Sequence, residues 1–395
     1  GGASEPHPGP AVVADFDNDG AAELARFQYL AGDVTLSILS VAQNGQIQAD
    51  LAPDLGAQKC RLAHPVAHAA GDVNGDGIPD LVFLGDGCTR IEVLFGPTLA
   101  APTRWLSPEV FPLDADFGDV TVLDVGVFDS NGDSVDDIVV LTQDQAWLYL
   151  GRVGTVPAPA QVITSPCAGA YGARFLGTQA DNAGFYTFWR CDNEVRIHRW
   201  NGAQAVQVAD VPTVGWEQPF LGDLDGQGSK DLISWDGTAA VASYGVGSAG
   251  TRSPYWGLNL VPPGHPALQL SGFDYPAWAT GNFGSSSLVT AFRDQLLLAG
   301  GDGQVFASRV FADAGTANLS VHELAACDLD ANGLDDVVAL YFDENTSRHA
   351  VRLFTVAGDA LAPAGQLDGL ERAAKFLVAD FDGDGRCDVL LAGRS

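Results

Sequence analysis

The sequence predicts an all-β protein built from one repeated unit, and three observations support this prediction. A loop of the pattern Asp-x-Asp/Asn-x-Asp-Gly-x-x-Asp recurs along the chain, as at 380–388. Short runs rich in β-branched and aromatic residues flank each copy and are separated by Gly, Asp and Asn. No stretch has the spacing of a long amphipathic helix. About four short strands per repeat are typical of a β-propeller blade.

The positions of the loops define the repeat. They start at residues 15, 72, 129, 223, 328 and 380, so the gaps are 57, 57, 94, 105 and 52 residues. The two larger gaps are each close to twice the others. Each therefore predicts one repeat that kept its strands and lost its acidic loop, at 174–189 and at 279–292. The chain then has eight repeats, and the acidic loops are loops one, two, three, five, seven and eight.

Eight repeats predict eight four-stranded blades, the last incomplete because the chain ends after two strands of that repeat. A seven-bladed propeller with an extra hairpin is the alternative. Residues 11–395 are predicted to form a single β-propeller domain, preceded by a Pro-containing tether at 1–10. The opening at Gly1 lacks Met and a signal peptide, which suggests a processed or trimmed chain, and a lipid-anchoring Cys just upstream is an expectation.

The charge of the chain limits its partners. Fifty acidic residues against 20 basic ones give a formal net charge of −30. Much of this charge lies in the repeated loops, so it indicates metal ligands rather than an acidic tail. The surface should repel nucleic acid and anionic membranes, and neither is expected as a partner. No apolar run approaches the ~18 residues that span a bilayer, so no membrane span is expected.

The loop lying between two strands resembles the FG-GAP/VCBS repeat of integrin α-subunit propellers and many bacterial surface proteins. The resemblance covers nearly the whole chain. In that family the loop joins the innermost strand of a blade to the second strand and binds calcium. The chain departs from the pattern in repeats four and six, which lack ligands, and at three single positions. Those positions are Gln227 for an acid, Ser134 for the glycine and Glu23 for the final Asp.

The resemblance implies about five or six structural Ca²⁺ ions, held by side chains at loop positions 1, 3, 5 and 9 and by the carbonyl of position 7. Alternating oxygens on a turning backbone suit a hard cation that needs six to eight oxygens. The implied metal residues are Asp15, Asp17, Asp19, Ala21, Glu23, Asp72, Asn74, Asp76, Ile78, Asp80, Asp129, Asn131, Asp133, Val135, Asp137, Asp223, Asp225, Gln227, Ser229, Asp231, Asp328, Asp330, Asn332, Leu334, Asp336, Asp380, Asp382, Asp384, Arg386 and Asp388.

These loops have two other interpretations. An EF-hand needs a Glu at position 12 and a helix on each side, whereas Leu391 and Phe83 stand there inside predicted strands. Alternatively, Asp, Asn and Gly simply favour turns. Crowded carboxylates would repel one another without a cation, however, and six copies in phase favour calcium.

Six cysteines suggest disulfide bonds rather than a zinc site, since there is no Cys-x-x-Cys motif. Equivalent positions in two repeats suggest the pairs Cys60–Cys88 and Cys167–Cys191, while Cys327 and Cys387 could bridge neighbouring blades. Buried free thiols are the alternative. Disulfides together with calcium imply an extracytoplasmic location, whether secreted, periplasmic or at the cell surface.

The sequence assigns no catalytic residue. There is no nucleophile elbow and no phosphate-binding loop. His64 and His68 are four residues apart in a predicted strand and are interpreted as a packed or surface pair. Aromatic side chains at propeller loops can stack on sugars, and the best candidates are Tyr255, Trp256 and Trp278. The alternative is that these aromatics cover the outside of blades five and six.

The predicted function is therefore an extracytoplasmic, calcium-stabilised β-propeller that serves as a binding, adhesion or assembly module at the cell surface. Its ligand would be a protein or a glycan. Some propellers of this repeat type are polysaccharide lyases, so an enzyme acting on polysaccharide, by lysis or hydrolysis, is one alternative. A structural subunit that self-assembles through its incomplete last blade is another.

Overall fold

A computed structural model describes most of the predicted strands and five of the six acidic loops. The described residues are 8–30, 33–42, 45–51, 68–85, 90–96, 109–110, 122–142, 145–155, 157–167, 173–181, 184–200, 205–212, 220–222, 231–235, 240–243, 256–258, 277–283, 286–292, 295–299, 309–312, 319–343, 345–357, 360–370 and 373–393.

The first four sheets are numbered in chain order. Sheet one contains β1 (Pro8–Ala14), β2 (Glu23–Leu30), β3 (Asp33–Val41) and β4 (Ile47–Leu51). Sheet two contains β5 (His68–Gly71), β6 (Asp80–Gly85), β7 (Arg90–Leu94) and β8 (Glu109–Val110). Sheet three contains β9 (Val122–Phe128), β10 (Asp137–Thr142), β11 (Gln145–Leu150) and β12 (Ala158–Thr164). Sheet four contains β13 (Ala173–Asp181), β14 (Gly184–Cys191), β15 (Glu194–Trp200) and β16 (Ala205–Pro212).

The last four sheets follow the same order. Sheet five contains β17 (Phe220–Gly222), β18 (Asp231–Trp235), β19 (Ala240–Ser243) and β20 (Trp256–Leu258). Sheet six contains β21 (Ala277–Phe283), β22 (Ser286–Phe292), β23 (Gln295–Ala299) and β24 (Arg309–Ala312). Sheet seven contains β25 (Leu319–Cys327), β26 (Asp336–Asp343), β27 (Arg348–Ala357) and β28 (Ala360–Leu370). Sheet eight contains β29 (Ala373–Ala379) and β30 (Asp388–Gly393).

Each sheet is a meander in which consecutive strands pair antiparallel. The prediction of an all-β chain with four-stranded repeats is confirmed, and both degenerate repeats keep their hairpins, β13–β14 and β21–β22. Among the described residues there are seven four-stranded sheets and one two-stranded sheet. This count fits eight blades with the last incomplete and also seven blades with an extra hairpin, so blade number stays a prediction. Strand β1 begins at Pro8, inside the segment predicted as a tether.

The chain divides into two compact units, each containing four of the sheets. The first comprises 1–212 with 381–384, and the second comprises 213–380 with 385–395. The prediction of one domain over 11–395 stays a prediction.

Within each unit the core lies between consecutive sheets. In β10, Ile138 and Val140 pack towards sheet two, whereas Val139 and Leu141 pack towards sheet four. Strand β26 behaves in the same way, because alternate residues join the cluster shared with sheet six or the cluster shared with sheet eight. Alternation along a strand places side chains on both faces, and every residue of β10 is therefore buried.

Two disulfide bonds join neighbouring sheets. Cys167, just after β12, bonds Cys191 at the end of β14, with Cα atoms 5.1 Å apart. Cys327 bonds Cys387 with Cα atoms 6.0 Å apart. Both predicted pairings are confirmed, while Cys60 and Cys88 lie outside the described residues.

Candidate metal-binding loops

The five described acidic loops share one turn, which the carboxylate at position 1 organises. In loop two, Asp72 Oδ1 accepts the N–H of Asp76 at 3.0 Å and Asp72 Oδ2 accepts the N–H of Gly77 at 2.8 Å. Asp15, Asp129 and Asp328 accept the equivalent pair of bonds in their own loops. In loop eight, Asp380 Oδ2 accepts the N–H of Gly385 at 2.8 Å. Position 1 therefore shapes the turn through backbone donors.

Positions 3 and 5 add two shorter-range bonds. The Oδ1 atom of position 3 accepts the N–H of position 5, as between Asn74 and Asp76 at 2.9 Å. The Oδ1 atom of position 5 accepts the N–H of position 7, as between Asp76 and Ile78 at 2.9 Å. Each bond is an Asx turn, in which a short polar side chain replaces a backbone acceptor. The side chains at 1, 3 and 5 are thus held on the inner side of one turn.

The backbone is left-handed at two positions of every described loop. Position 6 was expected to need glycine, and its φ lies between 67° and 92° in Gly20, Gly77, Ser134, Gly333 and Gly385. Position 4 has the same requirement, which the sequence analysis missed. Its φ lies between 59° and 81° in Asn18, Gly75, Gly132, Ala331 and Gly383. The frequent Gly and Asn at position 4 were the available signal, because these residues tolerate this conformation best.

Three loops bring three carboxylates together. One oxygen from each member lies within 4.8 Å of the others in three groups. The groups are Asp15, Asp17 and Asp19; Asp328, Asp330 and Asp336; and Asp380, Asp382 and Asp388. Ca²⁺ binds oxygens at about 2.3–2.6 Å, so oxygens on opposite sides of one ion lie roughly 5 Å apart. The spacing and the all-oxygen donor set therefore fit a calcium ion.

Loops two and three, which carry Asn at position 3, have no such group of three among the described residues. In loop three, Asn131 Nδ2 donates to Asp133 Oδ2 at 3.0 Å. In loop two, Asn74 Nδ2 donates to Asp80 Oδ1 at 3.3 Å. In both loops the Asn side-chain amide therefore donates a hydrogen bond to a carboxylate that the sequence predicts to be a metal ligand.

Position 9 is a buried anchor as well as a predicted ligand. Asp80 Oδ2 accepts the N–H of Val73 at 3.0 Å, and its Oδ1 accepts the N–H of Gly96 at 2.9 Å. Asp137 is bound in the same way by Ser130 and Gly151, and Asp336 by Leu329 and Val356. Ser130 Oγ also donates to Asp137 Oδ2. Each of these carboxylates therefore ties position 2 of its loop to the end of the third strand.

Burial changes the acidity of these carboxyl groups. The pKa of Glu23 is raised to about 8, mainly by desolvation and to a lesser extent by the charges of Asp17, Asp19 and Asp15, while the N–H bond from Phe16 acts in the opposite direction. Desolvation also raises the pKa of Asp80 to about 8. It raises the pKa of Asp137 and Asp336 as well. A nearby cation would favour the ionised forms.

Position 8 links one loop to the loop of the preceding sheet, which sequence analysis also missed. Asp136 N–H donates to Asp72 O at 2.8 Å, and Asp72 N–H donates to Asp136 Oδ2 at 3.0 Å. Asp335 makes the same two bonds with Asn282, both at 2.7 Å. In loop eight, Cys387 N–H donates to Asp328 O at 3.0 Å, and its disulfide to Cys327 replaces the carboxylate bond.

This link explains a glycine before the loop. A Cβ atom on Gly71 would lie 2.6 Å from Asp136 Oδ2 and still closer to Val127 Cγ1, and one on Gly281 would lie 2.7 Å from Asp335 Oδ2. The approach is too close for any side chain.

The other predicted site residues are placed less completely. Of loop five, Asp231 is described, buried at the start of β18, while Asp223, Asp225, Gln227 and Ser229 lie outside the described residues. Tyr255 and His64 also lie outside them. Trp256 and Trp278 lie in β20 and β21, strands of two different sheets. His68 is half-buried in β5.

The solved structures similar to this chain have β-propeller-like folds. A lectin from Agrocybe aegerita, solved with its specific recognition of non-reducing terminal N-acetylglucosamine, matches with 15% identity and a TM-score of 0.54, covering 99% of this chain and 100% of the lectin. Sqt1 from Chaetomium thermophilum matches with 12% identity and a TM-score of 0.54, over 95% and 93% of the two chains. The WD40 domain of SCAP from fission yeast matches with 9% identity and a TM-score of 0.50, over 80% and 76%.

These identities support a propeller-like fold and nothing finer. No protein-family model matches the sequence, and a search of curated proteins found no match. None of the residues that the structure describes forms a helix of the length and hydropathy needed to cross a membrane.

Proposed function

We propose that this chain is an extracytoplasmic, calcium-stabilised β-propeller of the FG-GAP/VCBS type that serves as a binding or assembly module. The observation that carries the proposal is the convergence of three carboxylates within 4.8 Å in loops one, seven and eight. Like charges this close repel strongly unless a cation or protons neutralise them.

The residues that would hold the ion differ between loops. Positions 1, 3 and 5 would do so in loop one, through Asp15, Asp17 and Asp19. Positions 1, 3 and 9 would do so in loops seven and eight. The bound ion would supply positive charge at the centre of each turn. Loops two and three would require the Asn side chain at position 3 to present its oxygen instead of its amide, so we expect them to bind calcium more weakly.

The cellular location rests on the two disulfide bonds. Disulfides persist in oxidising compartments and are rare in the cytosol. Cys167–Cys191 and Cys327–Cys387 each join two sheets, which supports a structural role for them in a secreted, periplasmic or surface protein.

Isothermal titration of the metal-free protein with Ca²⁺ tests the proposal. Replacing Asp328→Asn and Asp330→Asn together should remove one site from the stoichiometry. The matched control is Asp343→Asn with Asp368→Asn, which changes the same charge in the same sheet outside the loop and should keep every site. Absence of calcium binding at millimolar concentration, or equal stoichiometry in both variants, would reject the calcium sites.

A glycan array run with calcium and with chelator tests the binding role. The likeness to a lectin concerns the fold alone, yet it makes terminal N-acetylglucosamine a sensible member of the array. A saturable hit would identify a glycan ligand. A blank array together with concentration-dependent mass in light scattering would favour assembly through sheet eight, whereas release of unsaturated sugars would favour a polysaccharide lyase.

A further inference from the structure

Three aromatic rings form a compact cluster in sheet seven. The ring centroids of His322 and His349 lie 5.4 Å apart, and each lies close to Phe342, at 5.5 and 5.2 Å respectively. His322 is exposed and His349 is half-buried. Two imidazoles therefore approach each other across the same phenyl ring near the surface.

The strand register explains this approach. Phe342 in β26 pairs directly with His349 in β27. The pairing of β25 with β26 shifts between Val321 and Glu323, so His322 is the extra residue of a β-bulge. A bulge bends the strand and redirects the side chain it adds. The His322 ring can thus pack against Phe342 in β26 and reach His349 in β27.

We propose that His322 and His349 bind a borderline divalent cation, of which Zn²⁺, Ni²⁺ and Cu²⁺ are the candidates. Imidazole nitrogen suits these metals, whereas the all-oxygen loops suit calcium. The site is thus chemically distinct from the acidic loops and does not depend on them.

The spacing of the rings fits two ligands of one ion. A zinc–nitrogen bond of about 2.1 Å with tetrahedral angles places the centres of two coordinated imidazoles roughly 5 Å apart. The measured 5.4 Å agrees with this value. Two protein ligands leave further coordination positions for water or for a group of a bound partner.

The surroundings keep the rings in the form that binds metal. Partial burial lowers the pKa of His322, and the neighbouring His349 lowers it to a smaller extent. Burial also lowers the pKa of His349. Both rings are therefore neutral at neutral pH, and a neutral imidazole offers a nitrogen lone pair. Nδ1 of His349 is buried and makes no hydrogen bond to any residue that the structure describes. A metal or its water would satisfy this atom.

The experiment titrates Zn²⁺ into protein saturated with millimolar Ca²⁺ at pH 7.5, so that calcium competes for the carboxylate loops. Wild-type protein should bind one Zn²⁺. Either His322→Asn or His349→Asn should weaken this binding by at least ~10–100-fold, because loss of a residue that only orients a metal ligand already has an effect of this size. His68→Asn, a histidine of sheet two, is the matched control and should bind as wild type. Circular dichroism checks that each variant is folded.

Cu²⁺ provides an independent readout that does not depend on stability. Its electron paramagnetic resonance spectrum should show coupling to two imidazole nitrogens in the wild type and to one in either variant. Equal Zn²⁺ affinity in the wild type and both variants, or a copper spectrum with oxygen ligands alone, would overturn the proposal.

Discussion

Asp136 and Asp72 exchange two hydrogen bonds across neighbouring sheets, one through the backbone carbonyl at 2.8 Å and one through the carboxylate at 3.0 Å. The two residues are 64 positions apart. Asp335 repeats this arrangement with Asn282. Cys387 keeps the backbone bond to Asp328, and its disulfide to Cys327 takes the place of the carboxylate bond. The residue at position 8 of loops three, seven and eight therefore joins its own sheet to the preceding sheet.

Replacing Asp136→Ala should lower the free energy of unfolding by about 1–3 kcal/mol, because the N–H of Asp72 loses its part-buried acceptor. Asp136→Asn keeps one oxygen acceptor and is the matched control, with an expected smaller loss. Urea denaturation of both variants measures the difference. Equal losses in the two variants would contradict a role for this bond.

Removing the Cys327–Cys387 disulfide should also destabilise the protein. The bond closes a sequence separation of 60 residues, and the expected loss in the double variant Cys327→Ser with Cys387→Ser is about 2–4 kcal/mol. Chemical denaturation measures the loss, and thiol labelling of native wild-type protein checks the bond itself. Reaction of both cysteines in the native wild type would show that the bond is absent.

Two of the described loops carry a residue other than Gly or Asn at a left-handed position, and replacing that residue by glycine should stabilise the protein. Ala331 has a φ of 59° and Ser134 a φ of 67°. Ala331→Gly and Ser134→Gly should each raise the free energy of unfolding by about 1 kcal/mol, because a Cβ atom disfavours this conformation. Ala362→Gly, at an exposed position in β28, should instead lower it. A loss in all three variants would argue against the loop geometry.

Without metal, stability should fall as pH rises. Glu23 and Asp80 titrate near 4.5 and 3.8 when unfolded and near 8 when folded. Between these values the folded state holds more protons than the unfolded state, so the free energy of unfolding decreases with pH. Each such group contributes up to about 1.4 kcal/mol per pH unit.

Glu23→Gln removes one of these groups and should flatten the pH dependence, measured by denaturation in chelator from pH 4 to pH 9. Gln145→Ala, at an exposed position that carries no titratable group, is the control and should keep the wild-type slope. An unchanged slope in Glu23→Gln would show that Glu23 does not titrate in this range.

The repeat pattern of the sequence was enough to predict the strands and one of the disulfide bonds. The phase of the repeat located the hairpin β13–β14, which has lost its ligands, and it paired Cys167 with Cys191. The β-branched and apolar run after loop three indicated the strand β10. The residues that cover its two faces could not be predicted, because they come from the neighbouring sheets.

The relationships that sequence reasoning missed involve residues far apart or backbone conformation. The bond between Asp136 and Asp72 depends on how two sheets pack, and the motif itself treats position 8 as variable. Gly75 and Asn18 suggested that position 4 is left-handed, but Ala331 at the same position of loop seven did not fit this pattern. The buried contacts of Asp80 arise only once the third strand of the sheet lies beside its loop.

Thermal unfolding with and without calcium tests whether Ca²⁺ stabilises the folded loops. If Ca²⁺ binds the folded loops and not the unfolded chain, its binding energy adds to stability by mass action. The melting temperature of the disulfide-intact protein should then fall clearly on adding EDTA and recover, in a concentration-dependent way, when excess Ca²⁺ is restored. Superimposable melting curves in EDTA and in millimolar Ca²⁺ would contradict the account.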